Sequence, residues 1–398
     1  MKKGWKECNL DDYINLIDYR GRTPIKTNSG VRLITAKNVK LGYLQLEPQE
    51  FINSNDYESW MTRGIPNFGD VIFTTEAPLG NVAQIDSDEK LAFAQRIIVM
   101  QPEKNEIDQT FLKYMLLSPI VRKRILSKGT GATVQGIKSS LLKKIKISYP
   151  QTLSEQQRIV TVLDETFAAI EQAKANVERN LQNAKELFQS ELNSIFSQKG
   201  EGWVNCNLED YVNFIDYRGR TPVKTSSGVR LITAKNVKLG YLQIEPQEFI
   251  HKDNYCEWMR RGIPNYGDVI FTTEAPLANV AQINMTEKLA FAQRIIVMQP
   301  DKNKLDQTFL KYMLLSIPIR NKILEKGTGA TVQGIKSKLL KKIDIAFPNE
   351  ILEQQQIVKR LDALSLETKK LESKYQAKLA ALEALKKSVL EKAFKGEI

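Results

Sequence analysis

The sequence predicts two mixed α/β modules, each followed by a long helix. The two helices are expected to pair antiparallel as a coiled-coil-like strut about an approximate two-fold. Three observations lead there. Residues 18–45, DYRGRTPIKTNSGVRLITAKNVKLGYLQ, return at 216–243 with only Ile25 changed to Val223 and Asn28 to Ser226. Before Pro150 and Pro348, short β-branched runs mix with helically spaced apolar residues. After those prolines, glycine and proline vanish from Glu155 to Phe196, and apolar residues recur every seven positions.

The repeat sets the boundaries. EKLAFAQRIIVMQP at Glu89 and Glu287, and KGTGATVQGIKS at Lys128 and Lys326, keep the same offset of 198 as Asp18 and Asp216. Such a period is far beyond a solenoid unit of about 20–50 residues, so each copy is a domain-scale module. The expected division is 1–151 and 199–349 for the modules, and 152–198 and 350–398 for the helices.

Within a module, VRLITAKNV reads as a strand entering a polar loop, and GDVIFTTEA and QRIIVMQP as strands. DQTFLKYMLLS has helical spacing. The glycine-rich KGTGATVQGIKS has two readings: a turn whose backbone N–H groups, with Thr130, Thr133 and Lys138, cradle a phosphate, or a structural turn into the helix SSLLKKI. It lacks the GK[ST] ending of a nucleotide-binding loop.

In the first helix Leu163, Ile170, Val177 and Ala184 form one seam, and Phe167, Leu181 and Phe188 the other. In the second, Leu364, Leu371 and Leu385 are matched with Leu361, Tyr375, Leu382 and Val389. Lys174, Thr368 and Lys378 interrupt the stripe. A lone helix of this kind would leave its stripe in water, which predicts that the two pack on each other.

Composition narrows the function. The chain has 398 residues, 42% of them hydrophobic, so a globular protein is expected. Lys plus Arg number 58 against 46 for Asp plus Glu, a net charge of +12, which points to a polyanion, nucleic acid before membrane. Apolar runs fall short of a membrane span and the first residues carry no apolar signal segment, so a cytoplasmic location is expected. Cys8, Cys206 and Cys256 form no CxxC pair, which suggests neither a disulfide framework nor zinc. His251 is the only histidine and aligns with Asn53, so no histidine-based catalytic set occurs twice. Neither a dinucleotide fingerprint nor an N-P-P-Y type methyltransferase tetrapeptide is found, and no catalytic residue or metal ligand is nominated.

GDVIFTTEAPLGNVA, KGTGATVQGIKSSLLKKIKISYPQTLSEQQRIVTVLD and their second copies resemble the DNA-specificity subunit of type I restriction-modification systems. The likeness covers nearly the whole chain, in the order target recognition domain, spacer helix, target recognition domain, spacer helix. It implies a protein without catalysis of its own, bound to double-stranded DNA and to two methyltransferase subunits, with restriction subunits recruited through the complex. S-adenosylmethionine and ATP would sit on those partners, and this chain would bind no cofactor. The family commonly carries two different recognition domains; here they are nearly the same, so the expected target is an inverted repeat around a spacer.

Base edges are read by Arg, Lys, Asn, Gln, Glu and Thr. The polar loops present twice nominate Arg20, Arg22, Lys37, Asn38, Thr75, Glu76, Thr130 and Lys138 for DNA contact, with Arg218, Arg220, Lys235, Asn236, Thr273, Glu274, Thr328 and Lys336 in the second copy. Against this, Arg96 offers Glu76 an internal partner in place of a base, packing is the simpler role for Tyr19 and Tyr43, and Arg122, Lys123 and Arg124 read as a solvated helix face. The segments starting at Glu155-Gln156-Gln157 and Glu353-Gln354-Gln355, with the outer helix faces, are candidate docking surfaces for the methyltransferases. Three alternatives stay open: the specificity component of a related system whose partner fuses methylation and cleavage, an enzyme that modifies DNA itself, and a structural dimer without sequence preference. Self-association of the isolated chain is compatible with all of them.

Overall fold

A computed structural model describes residues 4–21, 23–131, 135–198, 200–219, 221–329 and 333–398. In the first module the strands are β1 (Trp5–Asn9), β2 (Ile14–Asp18), β3 (Val31–Ile34), β4 (Phe51–Ile52), β5 (Val71–Thr74), β6 (Val82–Gln84), β7 (Leu91–Phe93), β8 (Ile97–Pro102) and β9 (Lys146–Pro150). Its helices are α1 (Tyr57–Trp60), α2 (Gln109–Leu117), α3 (Pro119–Ser127) and α4 (Ser139–Lys143), followed by the long α5 (Leu153–Ser197). The second module repeats this as β10 (Trp203–Asn207), α6 (Leu208–Tyr211), β11 (Val212–Asp216), β12 (Lys224–Thr225), β13 (Val229–Ile232), β14 (Phe249–Ile250), α7 (Tyr255–Trp258), β15 (Val269–Thr272), β16 (Val280–Gln282), β17 (Leu289–Phe291), β18 (Ile295–Pro300), α8 (Gln307–Leu315), α9 (Ile317–Glu325), α10 (Ser337–Lys341), β19 (Asp344–Pro348) and α11 (Ile351–Lys395).

The central sheet of the first module is antiparallel in the order β2-β8-β5-β6. VIFT and IIVMQP, read from sequence as strands, are β5 and β8, and β5 is buried along its whole length. Alternation explains why both faces are apolar. Val71, Phe73, Ile98 and Met100 face one core with Phe111, Leu112 and Met115 of α2. Ile72, Ile97 and Val99 face a second core with Leu33, Ile34 and Phe93. That second core lies under a small sheet in which β3 pairs antiparallel with β4 and parallel with β7. β1 pairs antiparallel with β9 and closes the module just before α5. α2 starts where the Asp108 side chain accepts from the Phe111 N–H at 2.8 Å, and α3 starts at Ser118 with Pro119 in its first turn. The second module repeats the central order as β11-β18-β15-β16 and pairs β10 with β19, and its small sheet gains an edge strand, β12, in the order β12-β14-β13-β17.

Contacts divide the chain into one unit of Met1–Glu178 with Ala377–Ile398 and another of Arg179–Gln376. Each long helix of 45 residues, about 68 Å at roughly 1.5 Å per residue, is therefore shared. In the first unit Lys174 pairs with Glu383 at 3.0 Å and Glu171 with Lys386 at 2.8 Å, an antiparallel register. There Leu390, Ala393 and Phe394 of α11 enter the core that holds Ile159 and Leu163 of α5, and Phe394 lies 5.1 Å from Phe111, ring centre to ring centre. In the second unit Leu192 of α5 packs with Tyr312 and Leu361, Phe196 lies 5.2 Å from Phe309, and Glu191 pairs with Arg360. The core of each module thus takes the end of the helix that follows the other module.

Leu163, Ile170 and Ala184 are buried in the predicted seam, but Leu385 is 46% exposed and stands outside it. Thr368 does not interrupt the stripe: it is buried, and its hydroxyl donates to the Leu364 carbonyl at 3.0 Å. Lys174 serves the helix pairing through Glu383. Gln156 and Gln354 also depart from expectation. Both are fully buried; the Gln156 carbonyl accepts from the Asp108 N–H at 2.8 Å, and its amide donates to the carbonyls of Glu106 at 2.8 Å and Pro150 at 2.9 Å. They fasten helix to module and offer nothing to a docking subunit. No described helix is long and apolar enough to cross a membrane.

Candidate nucleic-acid interface

In the first module a cavity of about 350 Å³ opens to solvent where four sequence-distant segments meet. Arg20 and Gly21 come from the loop after β2, Thr75 and Glu76 from the end of β5, Gln95 from the turn before β8, and Thr130, Gly136 and Lys138 from the glycine-threonine turn. Thr130 and Gly136 bond each other through both backbone groups, at 2.8 and 2.9 Å, and Gly136 also bridges Glu76. The close approach favours glycine, since a Cβ there would sit a tight 3.3 Å from the Glu76 Cβ. Ala77, next in the chain, holds φ at 48°, as does Ala275, so the turn beside Glu76 is locally strained in both modules. The equivalent bridges, Thr328 with Gly334 and Glu274 with Gly334, build the second module in the same way.

The electrostatics of this basin are two ion pairs, one mostly buried and one about half exposed. Arg20 grips Asp18 through Nε at 2.8 Å and donates Nη1 to the Ile137 carbonyl at 3.0 Å, tying the β2 loop to the glycine-threonine turn. Burial disfavours the Asp18 carboxylate, yet the hydrogen bonds and charge of Arg20 outweigh it and hold its pKa below the ordinary aspartate value. Arg20 is correspondingly raised, with Asp18 its first cause. Arg218 and Asp216 repeat the arrangement. Glu76 pairs with Arg96 at 2.9 Å and Glu274 with Arg294 at 3.0 Å, the internal partner weighed from sequence. With about half of each side chain still exposed, these pairs contribute little to stability. They remain accessible to a ligand that offers both phosphates and base edges.

The nominated residues divide. Arg20, Thr75, Glu76, Thr130 and Lys138 converge on the cavity, with Thr130 and Lys138 exposed and Lys138 at the start of α4. In the second module Thr328 and Lys336 are likewise exposed. Lys37 and Lys235 are exposed but do not line the cavity described. Arg22, Arg220 and Thr133 lie outside the described residues. Asn38 and Asn236 are corrected: each is 1% exposed, and the Asn38 carbonyl accepts from the Thr35 N–H at 2.9 Å while its amide donates to the Gln45 and Pro48 carbonyls. A side chain spent on holding its own loop reads no base. Thr75 and Thr273 are also buried, and their hydroxyls donate to the carbonyls of Arg96 and Arg294, which braces the rim.

Other readings change as well. Tyr19 packs as expected, stacked 5.7 Å from Phe93, but Tyr43 is 59% exposed. Arg122 is not a solvated face residue, since it donates to the Gly80 carbonyl at 3.2 Å, and Arg124 donates to that of Lys146. His251 is a cap: its Nδ1 accepts from the Asp253 N–H at 3.4 Å, as Asn53 Oδ1 accepts from the Asn55 N–H at 2.9 Å, so each supplies one acceptor at the same turn. Gln95 and Gln293 were not nominated. Their only signal was adjacency to Arg96 and Arg294 in a repeated segment, and only the fold reveals that Gln95 reaches the cavity.

The comparisons with known proteins agree on one family. The family model for the type I restriction modification DNA specificity domain matches residues 2–179 and again 201–381. The type I restriction enzyme EcoKI specificity subunit of Escherichia coli K12 is 26% identical over 319 residues, spanning 75% of this chain and 68% of its own. The HsdS subunit from Thermoanaerobacter tengcongensis shares the fold with a TM-score of 0.65 at 18% identity, covering 100% of this chain and 98% of its own. A chain from a structure on complex assembly and conformational transition of the type I R-M system reaches 0.78 at 17% identity, over 100% and 99% of the two chains. With the model matched once per repeat, across most of both, this chain belongs to the type I restriction-modification DNA specificity family.

Proposed function

We propose that each module reads one half of a bipartite DNA sequence through the loops around Arg20, Glu76, Gln95, Thr130 and Lys138, and their counterparts in the second copy, and that the two halves form an inverted repeat. The observation that carries this is the doubled surface. Residues 18–45 and 216–243 differ at two positions, and the Arg20–Asp18 and Glu76–Arg96 pairs recur as Arg218–Asp216 and Glu274–Arg294. The net charge of +12 suits a polyanion. A two-fold relation between two equivalent surfaces would present the same side chains to opposite strands, as symmetric dimers match palindromic operators.

On this reading the chain is a non-catalytic specificity subunit acting in the cytoplasm. The long helices set the spacer and, with their outer faces, carry two methyltransferase subunits; restriction subunits join through the complex. S-adenosylmethionine and ATP act on those partners and none is held by this chain. The solved neighbour on type I R-M complex assembly supports an assembled setting for this fold. Mapping methylated positions in DNA from cells that carry the whole system tests the proposal. The expected result is a short half-sequence and its reverse complement around a fixed gap; two unrelated halves would refute the symmetry.

A further inference from the structure

Among the described large hydrophobic side chains, the two most exposed are Ile25 at 81% and Val223 at 75%, and they occupy the same position in the two modules. A single exposed aliphatic residue calls for no explanation. This one is different in being repeated and in being held. On one side Pro24 is buried, and the Thr23 hydroxyl donates to Gln95 Oε1 at 3.2 Å. On the other, Lys26 pairs with Glu50 at 2.7 Å and the Thr27 N–H donates to the Phe51 carbonyl at 2.9 Å. The second copy repeats both anchors, Thr221 to Gln293 at 3.1 Å and Lys224 to Glu248 at 2.7 Å. A branched apolar side chain is thus fixed in water at the tip of a pinned loop, two residues from the hydroxyl that grips Gln95, which lines the same cavity as Arg20, Thr130 and Lys138.

We propose that Ile25 and Val223 are specificity-determining residues whose methyl groups contact the 5-methyl group of a thymine, one in each half-site. The proposal rests on the reading of the modules as DNA readers. On the edges of the base pairs, the thymine methyl is the apolar group that the major groove displays, and an aliphatic side chain is its complement. The neighbouring polar groups at Gln95, Thr130 and Lys138 suit donors, acceptors and phosphates, and leave the apolar feature to position 25. The exchange of isoleucine for valine between the modules keeps two methyl groups on Cβ or beyond it, so both copies retain the contact.

The test uses the full chain assembled with its partner subunits and a target duplex with the mapped sequence. Each thymine is replaced in turn by deoxyuridine, which removes only the methyl group. One position per half-site is expected to weaken binding roughly three- to fivefold, the worth of about one buried methyl. Ile25→Ala is expected to abolish that sensitivity in one half-site and Val223→Ala in the other, while Ile25→Val, the natural choice of the second module, keeps it. Binding indifferent to every replacement overturns the proposal. So does unstacking reported by 2-aminopurine at the contacted step without any methyl dependence, which would make the side chain a wedge between bases. If the complex prefers no duplex over a scrambled one at equal salt, the DNA-reading function itself fails and takes this inference with it; sequence preference without methyl dependence removes the inference alone.

Discussion

The two modules share almost one sequence, yet their cores are closed unequally. In the first, Trp5, Cys8, Leu390, Ala393 and Phe394 are all buried, and Ile398 packs against them. In the second, Leu192 is buried, but Phe196, Trp203 and Cys206 are only partly so, and a cavity of about 770 Å³ lies beside them. The difference comes from the long helices, where the repeats diverge most, and from the chain that follows each helix end. The module sequence therefore specifies the module, while the quality of its seal is set by a segment that follows the other copy.

Truncating the seal should break this comparison most. Phe394→Ala is expected to cost about 3–5 kcal/mol, while Phe196→Ala, on a side chain still partly in water, should cost about half as much, read from urea denaturation of the full chain. Equal losses would show that the cavity beside Phe196 closes in solution. The glutamine fasteners should show no such asymmetry. Gln156→Leu leaves the Asp108 N–H and the Glu106 and Pro150 carbonyls without their partner, and is expected to cost about 2–3 kcal/mol. Gln354→Leu should match it, because its three bonds at 2.8 Å are the same; a clear difference would mean that the sealing defect reaches the start of the helix.

A smaller effect distinguishes Gly80 from its counterpart Ala278. Gly80 holds φ at 80° with open space around a would-be Cβ, while Ala278 holds φ at 63° and is fully buried. Gly80→Ala should therefore destabilise the first module by about 1 kcal/mol from backbone strain alone. Ala278→Gly should change stability by less than about 0.5 kcal/mol, relief of strain offsetting the lost methyl. Thermal melts of both variants decide the matter, and a stabilising Gly80→Ala would overturn it. Thiol alkylation at neutral pH has the least effect on the fold and reports the seals directly. Exposed Cys256 should react first, Cys206 next and buried Cys8 last. Burial pushes the Cys206 thiol up to about 11 and also raises Cys8, so neither is a thiolate at neutral pH, and access sets the order. Cys8 reacting before Cys206 would reverse the assignment of the tighter seal.

Much of the fold was legible in the chain. β5, β8 and α2 lie where β-branched runs and helical spacing placed them, because such patterns are set by nearest neighbours. The candidate site was legible only as a set of loops. Polarity nominated Asn38 and Thr75 alongside Thr130 and Lys138, and nothing local separates an asparagine that braces its own turn from one that meets a ligand. Gln156 was misread for the same reason, as a glutamine near a helix start suggests an exposed face until β9 and the segment before α2 close over it.

By itself, the sequence determined that this protein is a doubled module with two seamed helices, since both repetition and periodicity are properties of the string. The tertiary structure alone decided which helix end closes which core, which polar side chains vanish into it, and that Gln95 joins Arg20 at one cavity. Those outcomes depend on partners such as Lys174 and Glu383, 209 residues apart, whose meeting is chosen by the packing of whole surfaces and leaves no mark on either neighbourhood.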